Sequence, residues 1–524
     1  MTTNEPRDER AKDQQAIIAE DVRTLHSMGY AQELLRRMSG FSNFAISFSI
    51  ICILAGGITS FHLGMSSVGG ASLGLGWPLG CVLSLCFALA MAQLASAFPT
   101  AGGLYHWAAI VGGKGWGWVT AWFNLAGLIT VLAAINVGAY QFTLSSLGPS
   151  LGVDPTKLSP GTAMAAQAVG VLLVTLTQAI FNHRGIKITT MLTDFSGYLI
   201  FVVTFVLIAS LFYFAGHLDW SRLWTFTNYS GPRGGDVWPE TSSTTRLFFL
   251  GLLLPAYTVT GFDASAHTSE ETIDAARTVP RGILRAVFYS SIFGWLMVIA
   301  FVLAIPDMST AAAQGASTFF GMMEAVLPKG LRIALYVGIA LAQYICGLAT
   351  VTSASRMTYA FARDGGLPFS ASLKSISSAH RTPAVAIWTV ALLSVGFAVY
   401  TPVYSTITTV CTIFLYLSYG LPVGLGLLAF GRTWKKMGPW SIGNGYRVVA
   451  TICVLGCAGL LYIGVQPPND KALWITLGAV ALTAIVWFAH ERKAFAGPPS
   501  GVLSQERMAS IEKTENTVGQ DTHG

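Results

Sequence analysis

Runs of apolar residues long enough to cross a bilayer dominate the chain, and they confine it to helices. A backbone in hydrocarbon must satisfy its own N–H and C=O groups, and an α-helix of about twenty residues does so within one segment. Twelve such spans are predicted, over residues 44–66, 75–98, 116–145, 163–182, 190–216, 247–266, 283–305, 332–360, 383–401, 404–430, 446–466 and 472–490. With 53% hydrophobic and 11% charged residues and a mean hydropathy of +0.57, the chain carries more apolar surface than a soluble core absorbs. An all-α integral membrane protein with 12 transmembrane helices is expected.

Basic residues set the orientation. If the N-terminus is cytoplasmic and the spans alternate, 24 of the 31 Lys and Arg fall on the inner side, the bias of cytoplasmic loops. A multi-pass protein of the plasma or inner membrane with both termini cytoplasmic follows. The net charge of +6 then reflects topology and implies no nucleic-acid partner. The first forty residues are polar and read as no cleavable signal peptide. The stretch LHSMGYAQELLRRMSGFS suits a short amphipathic helix on the inner leaflet, and the polar tail from Pro498 suits disorder. All seven cysteines lie in predicted spans as small apolar side chains, with no zinc spacing and no disulfide framework.

Two of the apolar runs are interrupted by glycine, ILAGGITSF around Gly56 and Gly57 and YTVTGFDAS around Gly261, about 205 residues apart. Breaking a helix at bilayer depth leaves backbone groups that must meet protein, water or a ligand. Paired breaks in corresponding halves of a chain point to a substrate site. The competing explanation is that glycine simply lets two helices pack closely.

Three further segments bear on identity: QLASAFPTAGGLYHWAA at 93–109, PAYTVTGFDASAHTSEET at 255–272 and SASRMTYAFARDGGLP at 353–368. Together with LHSMGYAQELLRRMSGFSNFAISFS they resemble the amino acid/choline transporter branch of the amino acid–polyamine–organocation superfamily of permeases, over about residues 24 to 490. The resemblance implies a LeuT-like 5+5 inverted repeat with discontinuous helices 1 and 6. Residues 44–216 would form the first five-helix repeat, 217–245 an external loop, 246–430 the second repeat and 431–490 accessory helices 11 and 12. The flanks, 1–43 and 491–524, would be cytoplasmic.

In that architecture, amides around Ala55, Gly56, Gly57, Ile58 and Thr59 would face the anionic end of a zwitterion, aided by the positive end of a half-helix. Carbonyls around Thr258, Val259 and Thr260, beside Gly261, would accept from its ammonium group. Tyr257 would cover the bound solute with an aromatic face that also attracts cations. Trp122, Phe123 and Asn124 are weaker candidates, expected to pack against spans one and eight.

Asp263 is a carboxylate just past the second break, costly unless protonated, hydrated or paired, and so a candidate for proton coupling or gating; capping the inner half-helix is its other reading. Asp194 in span five carries the proton, pairs with Arg356 or faces cytoplasmic water. Some members of the resembled family place a lysine deeper in span five, where GYLIFVV here has none. Thr352 and Ser353 are a candidate sodium site, although such hydroxyls usually bond back to their own helix. Glu270, Glu271, Arg356, Arg363 and Asp364 form either an inner gate or a solvated charged face.

The function expected is an amino acid permease: a secondary active transporter moving a small amine-bearing solute, an amino acid such as γ-aminobutyrate, by alternating access with proton coupling. A choline or polyamine transporter, sodium coupling and exchange are the alternatives. A membrane enzyme would need convergent titratable groups, and spacing reveals none. A nutrient sensor would carry a signalling extension. No cofactor or metal is implied.

Overall fold

The computed structural model describes residues 5–153, 157–401, 404–499 and 505–520. Its regular structure is helical: two isolated bridges, Met38 with Thr272 and Phe430 with Trp434, are the sole β pairings among the described residues. Ten helices there are long and apolar enough to cross a membrane. The other two predicted spans are shorter. Ala384–Tyr400 has 17 residues, and the 247–266 run divides into Thr244–Gly251, Leu253–Thr258 and Ala264–His267.

Burial separates the centre of the bundle from its rim. The segment Gly40–Thr59 is 89% buried over its apolar window, whereas Asp470–Ala494 is 6% buried and leaves its side chains for lipid. Around the central segments, Trp77–Ala97 packs on Ala275–Ala304, Lys114–Leu147 on Lys329–Arg363 and on Tyr404–Ala429, and Pro160–His183 on Ala384–Tyr400. One end of the bundle carries the helices Glu5–Ser27 and Gln505–Gln520, which meet through His26 and Glu515. At the far end, Trp238 of the 217–243 loop is buried and donates its indole N–H to the Leu63 carbonyl at 2.9 Å, which ties that loop to the outer half of the first broken segment.

The N-terminal segment differs from its expected form. The helix lies earlier, over Glu5–Ser27, and residues 30–38 run as a strap with Leu34 and Met38 buried in protein. Backbone pairing explains the change. The amides of Arg37 and Met38 donate to the Glu271 carbonyl at 2.9 and 2.8 Å, and Ile273 N–H returns a bond to Met38 at 3.0 Å. Such a two-sided exchange competes with helix formation and takes the apolar side chains off the leaflet.

The tail, where composition predicts disorder, carries a helix over Gln505–Gln520. It docks through buried Ile511 and through Glu515, whose carboxylate accepts from Gln32 N–H at 2.7 Å and lies 2.7 Å from His26 Nε2. Residues 1–4, 500–504 and 521–524 of these flanks lie outside the described residues.

Gly261 shows how tightly the two broken segments fit. It has φ +84°, and a Cβ there would stand 2.2 Å from Ile50 of the first segment. Gly261→Ala is expected to lower the melting temperature of the purified protein, by an amount reflecting roughly 1–3 kcal/mol of backbone strain plus the clash. Gly161→Ala, where a Cβ meets nothing within 4 Å, should be neutral or mildly stabilising by the same measurement.

Candidate functional site

The first break follows from the way Gly40–Ile51 ends. Cys52 takes φ 26°, outside helical geometry, and the amides of Ala55 and Gly56 both fold back to the Cys52 carbonyl, at 2.7 and 3.2 Å. A short turn then restarts at Gly56–Thr59. Because it is a new start, its early amides lack the carbonyls a continuous helix would offer. Those of Gly57 and Ile58 have no acceptor among the described residues.

The second break lies against the first. A Cβ on Gly56 would stand 2.9 Å from the Thr258 Cα, so glycine is what lets the two backbones touch. Close packing and an opened backbone, posed as rivals by the sequence, therefore occur at the same residue. Leu253–Thr258 ends at Val259, and the carbonyls of Thr258, Val259 and Thr260 accept no hydrogen bond among the described residues. Unbonded amides of one segment and unbonded carbonyls of the other thus flank the Gly56–Thr258 contact in sequence, all in buried residues. Buried backbone groups are rarely left so.

Tyr257 is buried beside this junction. Its hydroxyl accepts from Tyr404 at 3.4 Å, and Tyr404 is hydrogen-bonded at 2.6 Å to Thr59, so three hydroxyls bridge the two broken segments. Tyr404 and Thr59 also border a cavity of ≈ 350 Å³ with Ile58, His62, Gln141 and Phe320. It adjoins another of ≈ 390 Å³ lined by the far-end residues Glu324, Lys329 and Arg332. The approach to the breaks is therefore from the end opposite the termini.

Asp263 is fully buried and richly bonded. Tyr419 donates to its Oδ1 at 2.9 Å, Asn124 donates to Oδ2 at 3.0 Å, and His267 Nε2 lies 3.2 Å from Oδ2. It occupies the N-cap position of Ala264–His267, but its side chain makes no capping bond. Asn124, expected to pack against spans one and eight, instead reaches Asp263 and Ser418, and Phe123 stacks obliquely on Phe414. His267 is a partner of Asp263 that the sequence reading does not single out. Its spacing of four from Asp263, which puts both on one helix face, was the available signal.

Glu270, Glu271, Arg356 and Arg363 form buried ion pairs and not a solvated face, whereas Arg277, Arg281 and Arg285 are exposed. Arg363 binds Glu270 through both terminal nitrogens at 2.8 and 3.0 Å, and Arg356 binds Glu271 through Nε and Nη2, both at 2.9 Å. These forked contacts match the planar guanidinium to the carboxylate. Arg356 is consequently not the partner of Asp194, whose Oδ2 accepts from Ser42 at 2.9 Å. Arg363 also lies 3.9 Å over the Tyr30 ring, and Arg36 of the strap donates to the carbonyls of Ser269 and Thr272. The strap and the two pairs together close the terminal end beneath the breaks.

Asp364 belongs to this closure through Tyr30 at 2.8 Å, Tyr105 at 2.9 Å and His106 at 3.2 Å. Burial acts to raise its carboxyl, but the hydrogen bond and charge of His106 and the charge of Arg363 prevail and hold it below the ordinary carboxylate value. Thr352 is committed to Asn182 at 2.6 Å, while the Ser353 hydroxyl is buried with no partner among the described residues.

Removing one member of a buried pair strands the other charge. Glu271→Gln should cost about 3–5 kcal/mol in unfolding stability, whereas Glu271→Met with Arg356→Met should recover most of that loss. Thermal or denaturant unfolding in detergent measures both. Equal losses for the single and double variants would show that the pair is not an energetic unit.

Comparison with known proteins fits this geometry. The amino acid permease family model matches residues 38–489. The chain is 31% identical to amino-acid permease BAT1 of Arabidopsis thaliana over 92% of its length and 96% of the relative's. It is equally 31% identical to the BAT1 homolog of Oryza sativa, over 90% and 94%. A putative polyamine transporter of Candida albicans is 23% identical over 95% and 92%. A match covering both broken segments and the ion-paired closure places this multi-pass membrane chain in the amino acid permease family.

Proposed function

We propose that the protein is a secondary active amino acid transporter that binds its solute between the two broken segments and works by alternating access. One observation carries this: the two broken segments touch at Gly56 and Thr258, and the first has amides at Gly57 and Ile58, the second carbonyls at Thr258, Val259 and Thr260, without hydrogen-bond partners among the described residues, chemistry suited to carboxylate and ammonium. Ala55, Gly56, Thr59 and Gly261 shape the backbone around them, and Tyr257 covers the solute. Twelve spans with both termini cytoplasmic is the topology proposed. The packing of spans two on seven, three on eight and four on nine supports a five-plus-five repeat.

Glu270–Arg363 and Glu271–Arg356, with Asp364 beside them, act as the inner gate in this scheme. Because each pair is bidentate and dry, it moves as a unit or exchanges its partner for water; opening the terminal end requires one or the other. Coupling is assigned to protons at Asp263, which has no Lys or Arg ion pair among the described residues, with Asp194 as the second carboxylate at span depth. The unpartnered Ser353 hydroxyl beside Thr352 favours a sodium site as the alternative.

Uptake into proteoliposomes tests these assignments. The panel comprises γ-aminobutyrate, several α-amino acids, choline and putrescine, under imposed proton or sodium gradients. Accumulation of an amino acid driven by protons is expected, and Asp263→Asn should abolish that accumulation. Sodium-driven uptake lost on Ser353→Ala would favour the alternative, and uptake confined to choline or putrescine would reassign the solute.

A further inference from the structure

The segment 263–271 contains three fully buried acids, and each faces one basic partner: Glu270 with Arg363, Glu271 with Arg356, and Asp263 with His267. Arginine does not release its proton in proteins, but an imidazole does so near neutral pH. Of the three pairs, only the last can change its charge.

The hydrogen bonds fix how many protons this pair holds. His267 Nδ1 lies 3.0 Å from the Ala101 carbonyl, and Nε2 lies 3.2 Å from Asp263 Oδ2. A carbonyl oxygen only accepts. A neutral imidazole has one N–H, so beside an ionised Asp263 either tautomer would aim a lone pair at an oxygen. Both contacts are satisfied if one further proton is present, either as imidazolium with carboxylate or as imidazole with carboxylic acid, the proton lying between Nε2 and Oδ2.

The neighbouring His106–Asp364 pair lacks this constraint. The other nitrogen of His106 meets the Thr100 hydroxyl, which can donate, so a neutral ring satisfies both sides.

Ala101 faces the gate with its other backbone group, since its N–H donates to Glu270 Oε1 at 3.1 Å. One residue therefore touches both the removable proton and the Glu270–Arg363 pair. On the opposite side, Tyr419 donates to Asp263 and accepts the Gly261 N–H at 3.0 Å, linking the pair to the second break. Asn124 and Ser418 are the remaining polar neighbours, and Tyr419, Glu270 and Arg363 the titratable or charged ones.

We infer that Asp263 and His267 hold the transported proton jointly, and that Ala101 transmits its loss to the Glu270–Arg363 gate. This rests on the proton-coupled reading above. From the imidazolium–carboxylate form the proton that leaves is the one on Nδ1: the remaining N–H at Nε2 stays on ionised Asp263, Nδ1 becomes a lone pair, and its bond to Ala101 is lost. Movement of the 98–103 loop then withdraws the Ala101 N–H from Glu270. Proton release and weakening of the gate become one event.

The test uses the full chain in proteoliposomes containing a lumenal pH dye, with γ-aminobutyrate or the amino acid that the wild type accumulates from the panel. His267→Gln is expected to reduce proton-driven accumulation at least about tenfold, while counterflow remains measurable and loses its pH dependence between about pH 5 and 8. Wild-type proton movement and pH dependence in His267→Gln would overturn the inference and leave the transporter reading standing. Wild-type transport without proton movement would instead defeat the coupling reading, and absence of any transport would defeat the transporter itself. If His267→Gln does not fold, Tyr419→Phe supplies the test: the pH midpoint of transport should shift, and an unchanged midpoint overturns the inference.

Discussion

A helix that opens inside a low-dielectric slab must hand its orphaned backbone dipoles to something, and this protein's architecture is organised around that requirement. Continuous helices supply the walls. At Cys52–Gly56 and Val259–Asp263 the ladder stops, and the groups released there meet three fates. Some fold back locally, as Ala55 and Gly56 do onto Cys52. Others take side-chain partners, as Gly261 takes Tyr419, Phe262 takes Ser47 and Leu54 takes Gln343. Others, including the amides of Gly57 and Ile58 and the carbonyls of Thr258–Thr260, have no hydrogen-bond partner among the described residues. An unsatisfied buried group costs about 1–3 kcal/mol, so leaving several together makes a site that favours a ligand carrying both signs.

The same constraint explains the dense electrostatics below the breaks. Charge brought to this depth needs a partner, and the chain supplies one for each acid on segment 263–271. Two partners are permanent and one is removable. A closure built of fixed pairs alone would be stable without being responsive; in the proposed scheme the histidine is its proton-dependent member. The N-terminal strap completes the arrangement by giving Glu270 and Glu271 carbonyls their donors from Gln32, Arg37 and Met38.

Much of this was legible in the sequence because hydropathy and glycine placement report directly on helices and their breaks. The long spans, Gly56, Gly261 and the burdened position of Asp263 all follow from local pattern. The partners of Asp263 did not: the spacing of four to His267 was present but not singled out, and Tyr419 and Asn124 reach it from helices distant in sequence. Arg356 and Glu271 were both visible as charges, but pairing is a tertiary fact that spacing does not encode across 85 residues. The strap at 30–38 was misread because its apolar spacing fits a helix as well as an extended segment buried on one side. Ala101 was invisible, since its contribution is entirely backbone.

The central claim is that opened backbone, and not a side-chain charge, grips the solute. High-resolution structure determination with a transported amino acid bound tests it most directly. The account predicts the carboxylate within roughly 3 Å of the Gly57 and Ile58 amides and the ammonium at the carbonyls of Thr258–Thr260. An amino acid lodged in the ≈ 350 Å³ cavity beyond Thr59 and Tyr404, with those backbone groups untouched, would contradict it.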